Sequence, residues 1–361
     1  MKKALPHCPF CNSPKIQKQG KRKNKLQVLQ KYKCLNCRRY FTDKSLPNKT
    51  YSPNVILNAV SYYNLGNSQK NTTKIINLRF KIKLPQRTIS QWIKQYKHIC
   101  TFNRLRKNAL KICKPDKMIF HSILKHHQIY NFQLHKAKLQ LLSNEMPEQK
   151  FQLLKKYLEK IPTKDFPHYI FQPKSNKTKE LSRSSQMKFH TLLFIKQEKQ
   201  NTANKLAELA LNLAQNNKQR HQEIQDFMLI NDSTTIAAEI PVYLTGRDIE
   251  YFKNKGFRLN LKNYNTPITG HIDLLQIRNN LIHILDYKPD ANKQNPINQL
   301  TLYALALTSR TKLALKDFKC AWFDENNYYE FFPLHAVYKL KKKRRKIMPK
   351  EQTKLSYKKF P

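Results

Sequence analysis

Two β-rich runs, Ile268 to Arg278 and Leu281 to Lys288, are separated only by Asn279-Asn280. Asparagine tolerates the positive φ that a two-residue hairpin turn demands, so the spacing predicts an antiparallel pair with no slack in its register. Pairing Arg278 with Leu281 and counting away from the turn sets Asp273 opposite Asp286, with Cβ atoms roughly 4.5 to 5.5 Å apart. Ile284, Asp286 and Lys288 share one face by the two-residue period, which brings the lysine beside both acids. Two facing carboxylates repel unless a proton or cation lies between them. Mg²⁺ or Mn²⁺, which prefer carboxylate oxygens, would relieve that conflict.

The rest of the chain has room for more than this hairpin. Its 361 residues allow about two domains, and 40% apolar residues exclude a wholly disordered protein. No run reaches the ~18 apolar residues of a membrane span, and Met1-Lys2-Lys3 leads into Pro6 and Cys8 rather than an apolar signal core. The expectation is a cytoplasmic protein associated with DNA (the nucleoid in a prokaryote), with no membrane partner. The formal charge is +46, unevenly spread: residues 1–205 hold 44 Lys+Arg against 8 Asp+Glu, residues 206–340 hold 15 against 14, and residues 341–361 hold 10 against 1. A polyanion such as nucleic acid is the partner such basic segments suit, with binding expected to reside in residues 1–205.

Four of the seven cysteines form Cys8-Pro-Phe-Cys11 and Cys34-Leu-Asn-Cys37. Two such pairs can give one Zn²⁺ a tetrahedron of thiolates, and residues 1–45 carry so few large apolar groups that the metal must supply much of the folding energy. Beyond them, Ser52 and Pro53 open a helix to Tyr63, and Thr72 to Phe80 reads as a second. A third, Pro85 to Tyr96, buries Ile89, Trp92, Ile93 and Tyr96 and leaves Gln86, Arg87, Ser90, Gln91 and Lys94 outside as base-edge and phosphate readers. Tyr32-Lys33-Cys34 through Thr42 followed by this helical trio resembles the zinc ribbon and helix-turn-helix of insertion-sequence transposases over the first hundred residues, which implies DNA targeting. Residues 101–205, with Pro162, Pro167 and Pro173 as breaks, read as a basic, mostly helical connector, whose His121, His126, His127 and His135 are expected to be solvated or to face DNA.

Gly270-His271-Ile272-Asp273 followed by Asp286-Tyr287-Lys288 resembles the core of the PD-(D/E)XK nuclease superfamily, and more narrowly its RecB-like branch. That branch has a G-x-x-x-H helix, matched by Asn217 to His221 with Asn217 in place of glycine; a strand glutamate, matched by Glu239; and a Q-x-x-x-Y, matched by Gln299 and Tyr303. The resemblance implies that Asp273, Asp286, His221 and the Tyr287 carbonyl hold Mg²⁺ or Mn²⁺, that Lys288 positions water or balances charge, that Glu239 supports the site, and that Gln299 and Tyr303 orient it. Some relatives hold an iron–sulfur cluster through downstream cysteines; only Cys320 follows Tyr303 here, so none is expected. Glu223 and Asp248 read as surface acids.

The fold expected is a restriction-endonuclease-like α/β nuclease domain preceded by a zinc ribbon, a helix-turn-helix and a basic helical connector. The divisions are 1–47, 48–100, 101–205, 206–340 and a basic tail at 341–361. The expected function is metal-dependent hydrolysis of DNA phosphodiesters, linked to a mobile element or defence system, whose proteins are the class of partner the resemblance suggests. The alternative is a non-catalytic DNA-binding regulator or a transposase-type strand-transfer protein.

Overall fold

The computed structural model of the chain describes residues 7–11, 13–23, 28–42, 51–145, 150–172, 182–192, 196–214, 216, 219–261, 264 and 266–339. The basic tail at 341–361 and Asn217 lie outside the described residues. A small antiparallel sheet, β1 (Ile16–Lys23), β2 (Val28–Cys34) and β3 (Tyr40–Thr42), carries the two cysteine turns. Three helices follow: α1 (Pro53–Asn64), α2 (Gln69–Phe80) and α3 (Gln86–Tyr96). Ser52 and Ser68 cap the first two by accepting from the Val55 and Asn71 N–H groups, and Ile89, Trp92, Ile93 and Tyr96 form the buried stripe of α3.

Past α4 (Arg106–Ile112) the chain enters a larger sheet through β4 (Ile119–Lys125) and β5 (Ile129–His135), crosses α5 (Lys136–Asn144) and α6 (Gln152–Lys160), and reaches the short strands β6 (Ser182–Arg183) and β7 (Gln197–Glu198). Helices α7 (Thr202–Leu211) and α8 (Arg220–Asn231) precede β8 (Thr235–Leu244), α9 (Gly246–Asn254), β9 (Ile268–Arg278) and β10 (Leu281–Tyr287). The chain then runs through α10 (Ile297–Thr311), β11 (Phe318–Phe323), β12 (Tyr328–Phe331) and α11 (Pro333–Val337). The strand order is β4-β5-β8-β9-β10-β11-β12-β7, with β6 beside β9. The one parallel pair in this path, β10 with β11, is joined across α10.

This topology corrects the reading of 101–205 as a helical connector and of the sheet domain as starting at 206. Leu134 of β5 pairs with Ala237 of β8, so strands from the basic region complete the sheet. The reason lies in period: Phe120-Ser122-Leu124 and Phe132-Leu134 alternate by two, and their basic neighbours mask a strand pattern as a solvated helix. The histidine expectation is also corrected in part. His135 is fully buried and caps α5 by accepting from the Lys138 N–H, and His126 is half-buried.

Each face of the sheet has its own core. On one, Leu154 and Leu158 of α6 and Leu300, Ala304 and Leu307 of α10 cover Ile240, Ile272, Leu275 and Ile284. On the other, α7, α8 and the α1–α3 trio share one cluster with Ala238, Leu274, Leu285 and Phe323. The trio is locked down by polar contacts as well. Asn64 Nδ2 donates to Asn231 Oδ1 (2.8 Å, buried), Asn231 Nδ2 donates to Ser61 Oγ (2.9 Å), and the Arg106 guanidinium donates to the carbonyls of Tyr63, Gly66 and Asn67. The fully buried Lys138 ammonium donates to the carbonyls of Leu229 and Asp232, satisfying the C-terminal end of α8.

Candidate active site and cysteine cluster

The hairpin forms in the expected register. Asn279 and Asn280 take φ of 51° and 58°, and β9 pairs with β10 from Arg278–Leu281 to Leu274–Leu285. There the ladder stops. At the next position the Tyr287 N–H donates to Asp273 Oδ2 (3.1 Å) in place of a backbone carbonyl. The strands part beside the two acids, and the acids come to lie in the fork.

A third carboxylate joins them from β8. Ala238 pairs with Leu274 and Ile240 with Ile272, which leaves Glu239 between, opposite Asp273. Glu239 has φ 54°, unusual for a strand residue with a side chain, and its Oε1 accepts from Gln225 Nε2 on α8 (2.7 Å). Glu239, Asp273 and Asp286 thus form a row across three neighbouring strands. One end of α8 supplies His221, whose Nδ1 is 3.6 Å from Asp273 Oδ2 and whose ring meets Tyr287 edge-on. Lys288 follows Asp286 by two residues and sets Nζ 3.0 Å from its Oδ2.

The electrostatics follow from this crowding. Burial, then the charge of Asp273, push the Asp286 carboxyl well above the usual range, and the same two causes raise Glu239 to about 7. Burial raises Asp273 as well, but hydrogen bonding and charge from His221, with Asp286 and Lys288, hold it below the usual range. Burial works against the Lys288 charge, and the two aspartates more than restore it. One cation among three acids leaves two of them reluctant to ionise, which is the condition a bound divalent ion relieves. The donors are hard oxygens plus one imidazole, a set that fits Mg²⁺ or Mn²⁺. They stand in a row: among the described residues, only the N-terminal cysteines form a set of three or more His, Cys, Asp or Glu ligand atoms all within 4.8 Å of one another.

Gln299 and Tyr303 sit behind the acids on α10, Gln299 Nε2 donating to the Tyr303 hydroxyl (2.8 Å). Gly270 makes room for Tyr303 and for Ser184. A Cβ there would fall 2.3 Å from Tyr303 Cε1 and 2.5 Å from Ser184 Oγ. Several neighbours escaped the sequence reading. Gln225 holds Glu239 and lies one helical turn from His221, a spacing that could have identified it. Tyr130 stacks on His271 at 3.4 Å, and His271 Nε2, His126 and His168 form a hydrogen-bonded chain at 2.7 and 3.1 Å. No local signal links these histidines, which come from β9, the β4–β5 turn and the segment after α6. Asp248, read as a surface acid, instead caps α9 and pairs with Arg310.

The four N-terminal cysteines converge, with Cys8 Sγ 3.6 Å from Cys37 Sγ and Cys11 Sγ 3.6 Å from Cys34 Sγ. Cys8 and Cys34 are buried, and the Cys37 N–H donates to Cys34 Sγ (3.4 Å). Four sulfurs within this radius are compatible with a zinc ribbon. On α3, Gln86, Arg87, Gln91 and Lys94 are exposed and Ser90 is half-buried. No helix among the described residues is long and apolar enough to cross a membrane.

The family model of the PD-(D/E)XK nuclease superfamily matches residues 118–356. A search of curated proteins and one of solved structures each returned no match. The matched span takes in β4 and β5 as well as the acids, in agreement with the continuous sheet, and covers well over half of the chain. The chain belongs to the PD-(D/E)XK nuclease superfamily.

Proposed function

We propose that this protein is a Mg²⁺- or Mn²⁺-dependent deoxyribonuclease brought to DNA by a zinc ribbon and a helix-turn-helix. The observation that carries the reading is the row of Glu239, Asp273 and Asp286 with the Lys288 ammonium 3.0 Å from Asp286. Asp273 and Asp286 would hold the ion, with His221 Nδ1 and the Tyr287 carbonyl completing the set. When bound, such an ion would supply Lewis-acid polarisation of the phosphoryl oxygen and acidify the attacking water. Lys288 positions that water or balances charge on the in-line transition state. Glu239, tethered by Gln225, supports the row, and the Gln299–Tyr303 pair orients it from α10.

Gln86, Arg87, Ser90, Gln91 and Lys94 supply the DNA-reading surface of α3, and Cys8, Cys11, Cys34 and Cys37 bind one Zn²⁺. We place the protein on intracellular DNA, in service of a mobile element or a defence system. Incubation with circular and linear DNA, with and without Mn²⁺, is the test. Metal-dependent cutting lost in Asp286→Ala supports the reading. A parent protein that binds DNA without cutting it would favour the silent regulator, and a Lys288-independent reaction would favour three-acid strand transfer.

A further inference from the structure

A polar cavity of about 210 Å³ opens at the turn end of the hairpin. Lys199, Asn201, Arg278, His283, Lys319 and Glu330 line it. His283 precedes Asp286 by three residues on β10, so it lies about 10 Å along the strand from that acid and, by the two-residue alternation, on the opposite face. None of its residues takes part in the site already described.

The cavity has more donors than partners. Glu330 receives both Lys199 and Lys319, the latter at 2.7 Å, yet each ammonium has three N–H groups to give. Arg278 directs Nη1 to Asn201 Oδ1 at 3.4 Å, which uses one of its five donors. The balance of three cations against one carboxylate is positive. Asn201 is also the N-cap of α7, whose ten residues bring the positive end of a helix dipole to the same place with no acid in the first turn. The decisive group is His283. It is 4% exposed, lines the cavity, and has no hydrogen-bond partner for either ring nitrogen. Burial, then the nearby Arg278 and Lys319, keep it neutral, with a pKa near 4. A neutral imidazole offers one donor and one acceptor, and leaving both unmet inside a protein is costly.

We propose that this cavity binds a phosphate group, with Arg278, Lys319 and the His283 N–H as its donors. Phosphate oxygens meet the surplus of N–H groups, and the P–OH of a monohydrogen phosphate can donate to the remaining imidazole nitrogen. The group could belong to a free phosphate compound, which carries that P–OH, or to the backbone of nucleic acid, whose diester has none and would engage the N–H donors alone; the proposal is independent of the chemistry at the acids.

The test is calorimetric titration of the full-length, zinc-loaded protein with inorganic phosphate at constant ionic strength, using chloride as the matched control. Binding to the parent should weaken at least tenfold in His283→Leu and in Arg278→Gln, the second chosen because it sits at the rim and leaves the sheet interior unchanged. Equal phosphate binding by parent and Arg278→Gln, or a response no larger than that to chloride, overturns the proposal. Duplex DNA distinguishes the sources. If the site takes backbone phosphate, Arg278→Gln also lowers the salt slope of DNA binding by about one; if it takes a free phosphate compound, only the phosphate isotherm changes.

Discussion

Glu239 is the residue at which backbone and electrostatics conflict most. Its positive φ inside β8 carries a strain of order 1–3 kcal/mol, and burial beside Asp273 lifts its carboxyl from 4.5 to about 7. An acid whose folded pKa is raised stabilises the fold below its unfolded pKa, and loses that stability as pH rises through the folded one. The metal-free protein should therefore melt lower as pH climbs from about 4.5 to 7. Glu239→Gln should flatten that slope, by up to about 3 kcal/mol over the window, and saturating Mn²⁺ should flatten it in the parent. A parallel slope in parent and Glu239→Gln would reject this account. Asp286→Ala should abolish cleavage while DNA binding persists or strengthens, since the variant loses a carboxylate assigned to hold the ion and a potential negative charge facing the phosphate. Lys288→Ala should also halt turnover but keep metal binding, measurable as Mn²⁺ affinity apart from kcat. Glu223→Ala should cost activity little.

Among the elements, the hairpin shows why some of the fold could be read in advance. Its turn residues, its alternation and its length all agree, so the facing of Asp273 and Asp286 was legible. The helices α1 and α3 were legible for a similar reason, each carrying local start signals or a clear buried stripe. Strands β4 and β5 were not, because β4 is the edge of the sheet and exposes His121, Ile123 and Lys125, and β5 opens on the exposed Ile129 before its buried half begins. The kink at Glu239 was equally hidden, since no glycine marks it. Gly270 looked like a motif letter and proves to be a packing requirement. Gly270→Ala should destabilise by at least about 1–3 kcal/mol in denaturant melts, because Tyr303 and Ser184 must move away from the new methyl. In the cysteine turns, Cys34→Ser should release the zinc and unfold β1–β3 while the main melting transition stays in place. Full zinc content in that variant would exclude the four-thiolate site.

At the scale of the whole molecule, charge and architecture do not divide at the same place. The excess of 44 basic over 8 acidic residues lies in 1–205, yet β4 and β5 from that region complete the sheet that holds the acids. Fragments cut at 205 should thus fail to fold, and the expected division into separate binding and cutting halves gives way to tests on the intact chain. Its DNA affinity should fall steeply with salt, by tenfold or more between about 50 and 200 mM, as counterions released from phosphates are regained. A flat salt response would remove the polyanion reading of the charge.

The seating of α1 on α8 also bears on how such a chain can diversify. Asn231 is ten residues along the same helix from His221, and it holds Asn64 and Ser61 from the other side of the contact. A graft that exchanges residues 51–97 for another three-helix unit would strand the Asn231 amide and bare the apolar faces of α7 and α8. Inheritance of a new front end must therefore carry matching changes in α8, so the two parts are expected to vary as a pair and to resist recombination at the short segment that joins them.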